Sequence, residues 1–359
     1  MFFRPLYFNK PKSYITSLGN YFFVIYIATI ILIFKLYHVQ NISPNVLGKN
    51  TTKNDYKKIA SDQEPPTIST NKINVTTEDK SEIIYLTSNE KLKYYQLSEE
   101  FKINFQGKTQ QGNYLYSLSI PSSHTASAYK LLFFDEVGNK KDLFLFANIN
   151  KLILPDNLDS CQTINYQSMN LYTLPIGKIH CIDENFENML KLVDFKDGNL
   201  TYKVNQIIID DLQNLLEDAR RDQIIISINS AYRSLKRQDK LRDDLLKYYG
   251  EEIGEKIVAI PGQSEHNIGT AIDFTSQEYN AGKKLKFKDT SAYKWLQENA
   301  WKYGFVQSYP ENKEKITGFE FEAWHWRYVG KQHSSNIRLL EDITLTEYLY
   351  LVNLIEDSK

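Results

Sequence analysis

Hydrophobic residues follow several contrasting patterns along this chain, and each predicts a different kind of structure. Residues 21–34 read YFFVIYIATIILIF without a charge, and after Lys35 the run LYHV carries it to Val39. The stretch 21–39 is about as long as a helix must be to cross a bilayer. Lys35, near its end, can extend its ammonium group to the interface. Arg4, Lys10 and Lys12 stand ahead of the run. That positive flank predicts a cytoplasmic tail over 1–20, a single transmembrane anchor over 21–39, and the C-terminal bulk of the chain outside the cell. No small-residue A-x-A pattern follows, so an uncleaved anchor is expected rather than a removed signal peptide.

Over 40–80 the pattern reverses. NISPNVLGKNTTKND, SDQEPPTISTN and NVTTEDKS are rich in Asn, Thr, Ser, Lys and Pro and hold few large apolar residues. Such a stretch cannot bury enough surface to offset its ordering entropy, which predicts a disordered tether. From 81 to 155 the period becomes two. EIIYLTS, FKINFQGK and YLYSLSI read as strands, and YKLLFF and DLFLFA flank DEVGNKK as a hairpin does. A small all-β module is expected there, a packing or spacer domain in preference to a wall- or partner-binding one.

A connector over 156–184 leads to a region, 185–352, where helical and strand periods mix. Val204, Ile207, Ile208, Leu212, Leu215, Leu216 and Ala219 recur at steps of three and four, as on an amphipathic helix. QIIISI, 223–228, follows as a short buried strand. Leu235 to Tyr249 is helical and stops at Gly250. Ser291 to Tyr303 forms another helix, with Asp289 or Thr290 as cap and Gly304 past its end. FVQSY and FEAWHWRYV read as strands, with ITGF as the turn between them. The layout is α+β, with a central, mainly antiparallel sheet whose strand ends converge on one cleft.

Composition narrows the chemistry. The chain has 359 residues, 42% hydrophobic and 24% charged, with a formal net charge of -1. A general nucleic-acid binder normally carries a basic surplus, so nucleic acid is excluded as the expected partner. The two cysteines, Cys161 and Cys181, favour a disulfide in an exported chain. Closing that loop of about 20 residues contributes about 3 kcal/mol in the chain-entropy account.

Three stretches hold residues suited to hydrolysis. SAYRSLKRQ, 230–238, leaves the buried strand with Arg233 and Gln238. PGQSEHNIGTAIDF, 261–274, places His266 and Asp273 seven residues apart, the acid inside an apolar run. EAWHWRYVG, 322–330, adds Glu322 and His325. Taken singly, the last is most simply a half-buried strand, since Trp, Tyr and Val suit a pleated surface. Taken together, two His and one Asp make a zinc site with an open fourth position, and a nearby carboxylate can act as general base. A buried carboxylate such as Asp273 needs a metal or cationic partner. On a straight strand, Glu322 and His325 face opposite sides, so if both serve one metal Glu322 must sit in a turn or bulge where the strand begins.

In this order, the three stretches closely resemble the zinc D-alanyl-D-alanine carboxypeptidases of the VanY type, whose motifs run S-x-Y-R-S-x-x-x-Q, P-G-x-S-E-H-Q-x-G-L-A-x-D and E-P-W-H-x-R-Y-V-G. WLQENAWKYGFVQSYP and LEDITLTEYL look like further family segments, and the resemblance spans about 185–350. It implies that His266, Asp273 and His325 hold one Zn2+, that Glu322 is the general base, and that Arg233 binds the substrate carboxylate or stabilises the oxyanion. Gln238, Ser264 and Tyr309 fall where the family places substrate contacts. Three positions depart from the pattern: Asn267 for Gln, Thr270 for Leu and Ala323 for Pro, the last loosening the turn that aims Glu322. The implied activity is removal of the terminal D-alanine from peptidoglycan stem peptides. An L,D-carboxypeptidase acting on tetrapeptide stems is the alternative within the class. A non-catalytic wall-binding surface protein is the alternative outside it, disfavoured by the intact ligands and base.

The remaining candidates read as structural. His333 is expected at a helix cap or on the surface. Trp295, Trp301, Trp324 and Trp326 are expected in the core, Glu265 as a support beside His266, and Arg327 either paired with an acid or touching substrate.

Overall fold

The computed structural model describes residues 64–70, 72–77, 81–95, 101–123, 125–152, 154, 162–163, 170–177, 180–280 and 286–356. The expected tail and anchor over 1–39 lie outside these residues, as does Cys161. Among the described residues no helix is long and apolar enough to cross a membrane.

The chain divides into two units, one of residues 1–67, 90–94 and 133–141, the other of 68–89, 95–132 and 142–359. In the first, Asp135 Oδ1 accepts the N–H groups of Val137, Gly138 and Asn139 at 2.9, 2.6 and 2.8 Å, closing the DEVGN turn. Gly138 lies there at φ 98°, a conformation that favours glycine.

The second unit contains the β module. Its strands are β1 (Ile68–Thr70), β2 (Asn74–Val75), β3 (Glu82–Ser88), β4 (Lys93–Tyr95), of which only Tyr95 belongs to this unit, β5 (Lys102–Lys108), β6 (Tyr114–Ile120), β7 (Ser127–Phe134), which belongs to it as far as Leu132, and β8 (Lys140–Ala147), which belongs to it from Asp142. One antiparallel sheet runs β1-β3-β6-β5. Ile84 and Leu86 of β3 and Tyr116, Leu118 and Ile120 of β6 are its buried face, the period-two positions. Strands β1 and β2 lie within the stretch expected to be a tether. Ile73 and Val75 are buried there, and β2 pairs in parallel with β8, Val75 opposite Ala147. So few apolar residues make no visible period, yet backbone pairing to an existing strand suffices to seat them.

Beyond β9 (Gln162–Thr163) and β10 (His180–Cys181), helix α1 (Glu184–Met189) is capped by Asp183, which accepts from Phe186 N–H. Cys181 is buried and disulfide-bonded. A hairpin of β11 (Leu192–Asp197) and β12 (Leu200–Asn205) follows. The helix expected from Val204 starts later, as α2 (Ile209–Arg221), after a 3-10 turn over Gln206–Ile208. Val204, Ile208 and Leu212 all point into one core, so the apolar spacing runs unbroken through a strand end and a turn. Gln223, at φ 63°, reverses the chain after α2, and the strand expected at 223–228 is therefore β13 (Ile226–Ser230).

Helix α3 (Leu235–Tyr249) has its expected bounds, capped by Ser234 and stopped by Gly250 at φ 80°. Next come α4 (Glu251–Ile257), β14 (Ala271–Ser276), α5 (Gln277–Asn280) and α6 (Ser291–Asn299). Thr290 caps α6 through Tyr293 N–H, and a 3-10 turn continues it to Gly304. The chain closes with β15 (Phe305–Gln307), α7 (Glu314–Thr317), β16 (His325–Tyr328), α8 (Gly330–Leu339) and α9 (Leu345–Glu356). The four strands make an antiparallel sheet ordered β13-β14-β16-β15. Leu212, Leu215 and Leu216 of α2 and Trp295 and Leu296 of α6 pack on Ile228, Ile272, Phe274, Phe305 and Trp326, forming the core beneath it.

Three expectations change. Trp295 and Trp326 are core residues, but Trp301 is only half-buried and Trp324 is 39% exposed, because the chain turns before the strand instead of running straight through it. His333 is buried between α8 and its neighbours rather than capping or facing water. Its Nδ1 lies 2.8 Å from the Tyr348 hydroxyl and its ring packs 5.2 Å from Phe144. ITGF is not a simple turn, since its first two residues end the short helix α7 before Gly318.

Candidate metal centre

The sheet register brings two of the predicted ligands together. Asp273 on β14 stands opposite His325 on β16, and opposite Ser230 on β13 beyond a bulge between Ile228 and Ser230. Ile272, Phe274 and Trp326 alternate with them and face the core. His266 arrives from the 3-10 turn Glu265–Ile268, which Gly269 ends at φ 72°. A Cβ at Gly269 would lie 3.0 Å from the Asn205 amide nitrogen, so the turn packs against β12 only with glycine there.

His266, Asp273 and His325 are all buried, and each offers a donor atom within 4.8 Å of the others. Asp273 Oδ1 lies 3.2 Å from His266 Nε2 and 3.0 Å from His325 Nδ1. The far side of each ring decides the tautomer. His266 Nδ1 is 2.6 Å from the Ala231 carbonyl oxygen, which can only accept. His325 Nε2 is 2.9 Å from Glu265 Oε2. Each ring therefore donates outward, and in its neutral form turns a lone pair toward the same carboxylate oxygen. Two lone pairs and a carboxylate converging on one point form a cation site, with the outward acceptors orienting the rings as metal-ligating histidines require.

The electrostatics agree. Burial works against a charged His325, but hydrogen bonds and charge from Asp273 and Glu265 outweigh it and raise its pKa to about 10. Burial would likewise raise the Asp273 carboxyl, but His266 and His325 hold it well below the carboxylate range. Glu265 is buried and meets burial's upward push with His325, Arg327 and Ser308, whose hydroxyl donates at 2.6 Å, and it too stays low. The site is thus built to favour positive charge. The donor set, two imidazoles and one carboxylate with room for a further ligand, suits Zn2+.

Glu322 leaves the strand's alternation as its geometry demanded. His325 N–H donates to Glu322 O at 3.3 Å, closing a turn over Ala323 and Trp324. Gln307 Nε2 donates to the same carbonyl at 3.2 Å, and Glu322 N–H donates to Tyr309 O at 3.1 Å. The carboxylate comes to lie 3.8 Å from His325 Nδ1. Burial pushes its pKa up to about 7, with Asp273 and Glu265 adding to the rise against His325 and Arg233.

Arg233 lies 3.8 Å from Asp273 Oδ2. Its guanidinium donates to Gln238 Oε1 at 2.8 Å and to Ser230 Oγ at 3.3 Å. Gln238 departs from the expected substrate contact: it is 1% exposed, and its Nε2 is taken by the Ala259 carbonyl at 2.8 Å. It holds Arg233 instead. Tyr309 also faces inward, its ring stacked on His325 at 4.9 Å. Ser264 precedes the 3-10 turn without spending its hydroxyl on capping it.

Arg327 is fully buried and pairs with an acid. It donates to Glu265 Oε1 at 3.4 Å and to the carbonyls of Leu171 and Leu174 at 3.0 and 3.3 Å. Sequence reasoning missed Ala231, whose contribution is a backbone carbonyl, and Ser308, which has no motif of its own. Of the departures, Asn267 accepts from Gly262 N–H at 3.0 Å and donates to Arg233 O at 2.7 Å, tying two motifs together. Thr270 is fully buried, and its Oγ1 has no hydrogen-bond partner.

Residues 201–331 match the family described as VanY, D-alanyl-D-alanine carboxypeptidase. The protein named "Putative carboxypeptidase YodJ" of Bacillus subtilis (strain 168) is 40% identical over 196 residues, 53% of this chain and 71% of that protein. A D-alanyl-D-alanine carboxypeptidase of Enterococcus faecalis (strain ATCC 700802 / V583) is 33% identical over 147 residues, 38% of this chain and 52% of that protein. The solved LdcB LD-carboxypeptidase is 34% identical with a TM-score of 0.46, over 54% of this chain and 92% of that one.

Proposed function

Because the chain belongs to the VanY family of D-alanyl-D-alanine carboxypeptidases, we propose that His266, Asp273 and His325 hold one catalytic zinc ion and that the protein removes the terminal D-alanine from peptidoglycan stem peptides. The observation that carries the reading is the convergence of His266 Nε2 and His325 Nδ1 on Asp273 Oδ1, with the outer nitrogens bound to Ala231 O and Glu265. Zinc supplies Lewis acidity toward the scissile carbonyl and the attacking water.

The protein's own groups do the rest. Glu322, with a pKa of about 7, takes a proton from the attacking water and delivers it to the amine of the departing D-alanine. Arg233 presents a planar guanidinium, steadied by Gln238, to the terminal carboxylate of the peptide, a pairing it can make bidentate. Tyr309 and Glu265 keep the His325 ring in its plane from two sides. The apolar run over 21–39 behind Arg4, Lys10 and Lys12 supports a single-pass membrane anchor with the catalytic domain outside the cytoplasm, where the peptidoglycan substrate lies.

The test is mass analysis of defined penta- and tetrapeptide muropeptides incubated with the zinc-loaded full chain, with and without chelator. Loss of one D-alanine from the pentapeptide is expected, abolished by chelator and restored by zinc. Cleavage of the tetrapeptide alone would move the assignment to L,D-carboxypeptidase. No cleavage of either overturns the proposal.

A further inference from the structure

The segment preceding the family match reaches back into the arginine loop. Glu187, on α1, uses one carboxylate oxygen to accept from the Tyr232 hydroxyl at 2.5 Å and from the Leu235 N–H at 2.9 Å. Tyr232 and Leu235 bracket Arg233, so this one side chain spans the residue on both sides. The same segment is seated nearby: Ile182 N–H donates to Gly262 O at 3.0 Å, and a Cβ on Gly262 would fall 2.3 Å from Ile182 O.

Each other restraint on Arg233 acts on a different part of it. Its N–H donates to His266 O at 3.0 Å, its carbonyl accepts from Asn267 at 2.7 Å, and Gln238 and Ser230 hold its head. None of these fixes how the loop enters α3. The first N–H groups of a helix have no intrahelical partner. Ser234 serves Arg237 N–H, which leaves Leu235 N–H to Glu187.

We propose that Glu187 is a positioning residue for substrate binding, setting the reach of Arg233 toward the terminal carboxylate by clamping Tyr232 and the start of α3. The assignment rests on Arg233 being the carboxylate-binding group. Contacts to an unreacting carboxylate are made equally in ground and transition states, so their loss appears in KM.

The experiment uses the zinc-loaded full chain and a D-Ala-D-Ala-terminated pentapeptide. Glu187→Ala should raise KM roughly tenfold, as a small misplacement of a binding group does, with kcat and zinc content near the parent values. Glu187→Gln, which keeps an acceptor oxygen, should restore most of the loss. Tyr232→Phe, which removes one of the two bonds, should give an intermediate KM and carries the test if Glu187→Ala does not fold. Partial unfolding lowers apparent kcat but leaves KM alone, which separates positioning from simple stability. In an Arg233→Lys background, Glu187→Ala should add little further. A parental KM in Glu187→Ala beside a raised KM in Arg233→Lys overturns the clamp alone. A parental KM in Arg233→Lys overturns the role given to Arg233 and the clamp with it.

Discussion

Asp273 and His325 face each other across adjacent antiparallel strands, and the Asp273 oxygen that meets His325 at 3.0 Å also meets His266 at 3.2 Å. Two of the proposed ligands are therefore placed by sheet register, and the third by a turn that leads directly into the same strand. Site integrity follows the β14–β16 pairing more than any loop.

Glu322 is assigned to proton transfer and lies outside the ligand cluster. Glu322→Gln should bind one zinc per chain by metal analysis and lose turnover by roughly 100- to 10,000-fold. Parental turnover would refute its role as base.

Glu265 accepts from His325 Nε2 and carries charge, so it both orients that ring and raises its basicity. Glu265→Gln should weaken zinc binding about 10- to 100-fold in a competition titration against a chelator, as loss of such a partner does. Unchanged affinity would show that Tyr309 stacking alone orients the ring.

Burial, reinforced by the charge of Lys130, lowers the His333 pKa to about 4 from its usual 6.5. The Tyr348 hydroxyl oxygen accepts from Asn336 Nδ2 at 3.1 Å and lies 2.8 Å from His333 Nδ1. Above pH 6.5 the histidine is neutral in both folded and unfolded chains. Below it the unfolded chain takes up the proton first, so stability falls as pH drops from 6.5 toward 4, by roughly 3 kcal/mol in all. A His333→Gln variant should show a flatter loss over that window in denaturant titrations at several pH values. An identical slope would rule out His333 as its source.

Thr270 carries a buried hydroxyl without a partner. Thr270→Val keeps the shape and removes the unmet group, so it should raise stability by about 1 kcal/mol, read from the denaturation midpoint. A loss of stability would mean that the hydroxyl is bonded in solution.

Ala323 is the second residue of the Glu322–His325 turn, where proline is favoured. Ala323→Pro should stabilise by about 0.4–1 kcal/mol by restricting the unfolded chain, with kcat equal or higher. A fall in both would show that the local backbone angles do not admit the ring.

Much of this was legible in the chain. Strands β3, β5, β6, β7 and β8 of the β module, helix α3 and the cap and stop of α6 followed from period and punctuation. The three motifs named His266, Asp273 and His325, which the fold brings within 4.8 Å of one another, and alternation required the bend at Glu322 if it and His325 serve one metal. What stayed hidden has physical causes. Val204 keeps a helical spacing with α2 while belonging to a strand, because one core receives both. Gln238 and Tyr309 were expected as substrate contacts because they fall where the family places them, whereas here Gln238 is buried against Arg233 and Tyr309 is stacked on His325. Trp324 looked like core because the bend that exposes it also serves Glu322. Ala231 contributes only its carbonyl, which no side-chain reading can find.

Only Ala323 and Trp324 separate the proposed proton acceptor, Glu322, from the proposed metal ligand His325, and the turn they form is tied down by Gln307 and Tyr309. The distance between base and ligand is thus fixed by covalent chain length. No two loops have to close on each other to create it. The reaction centre and its neighbouring ligand are therefore one local chain unit, which folds or fails as a piece.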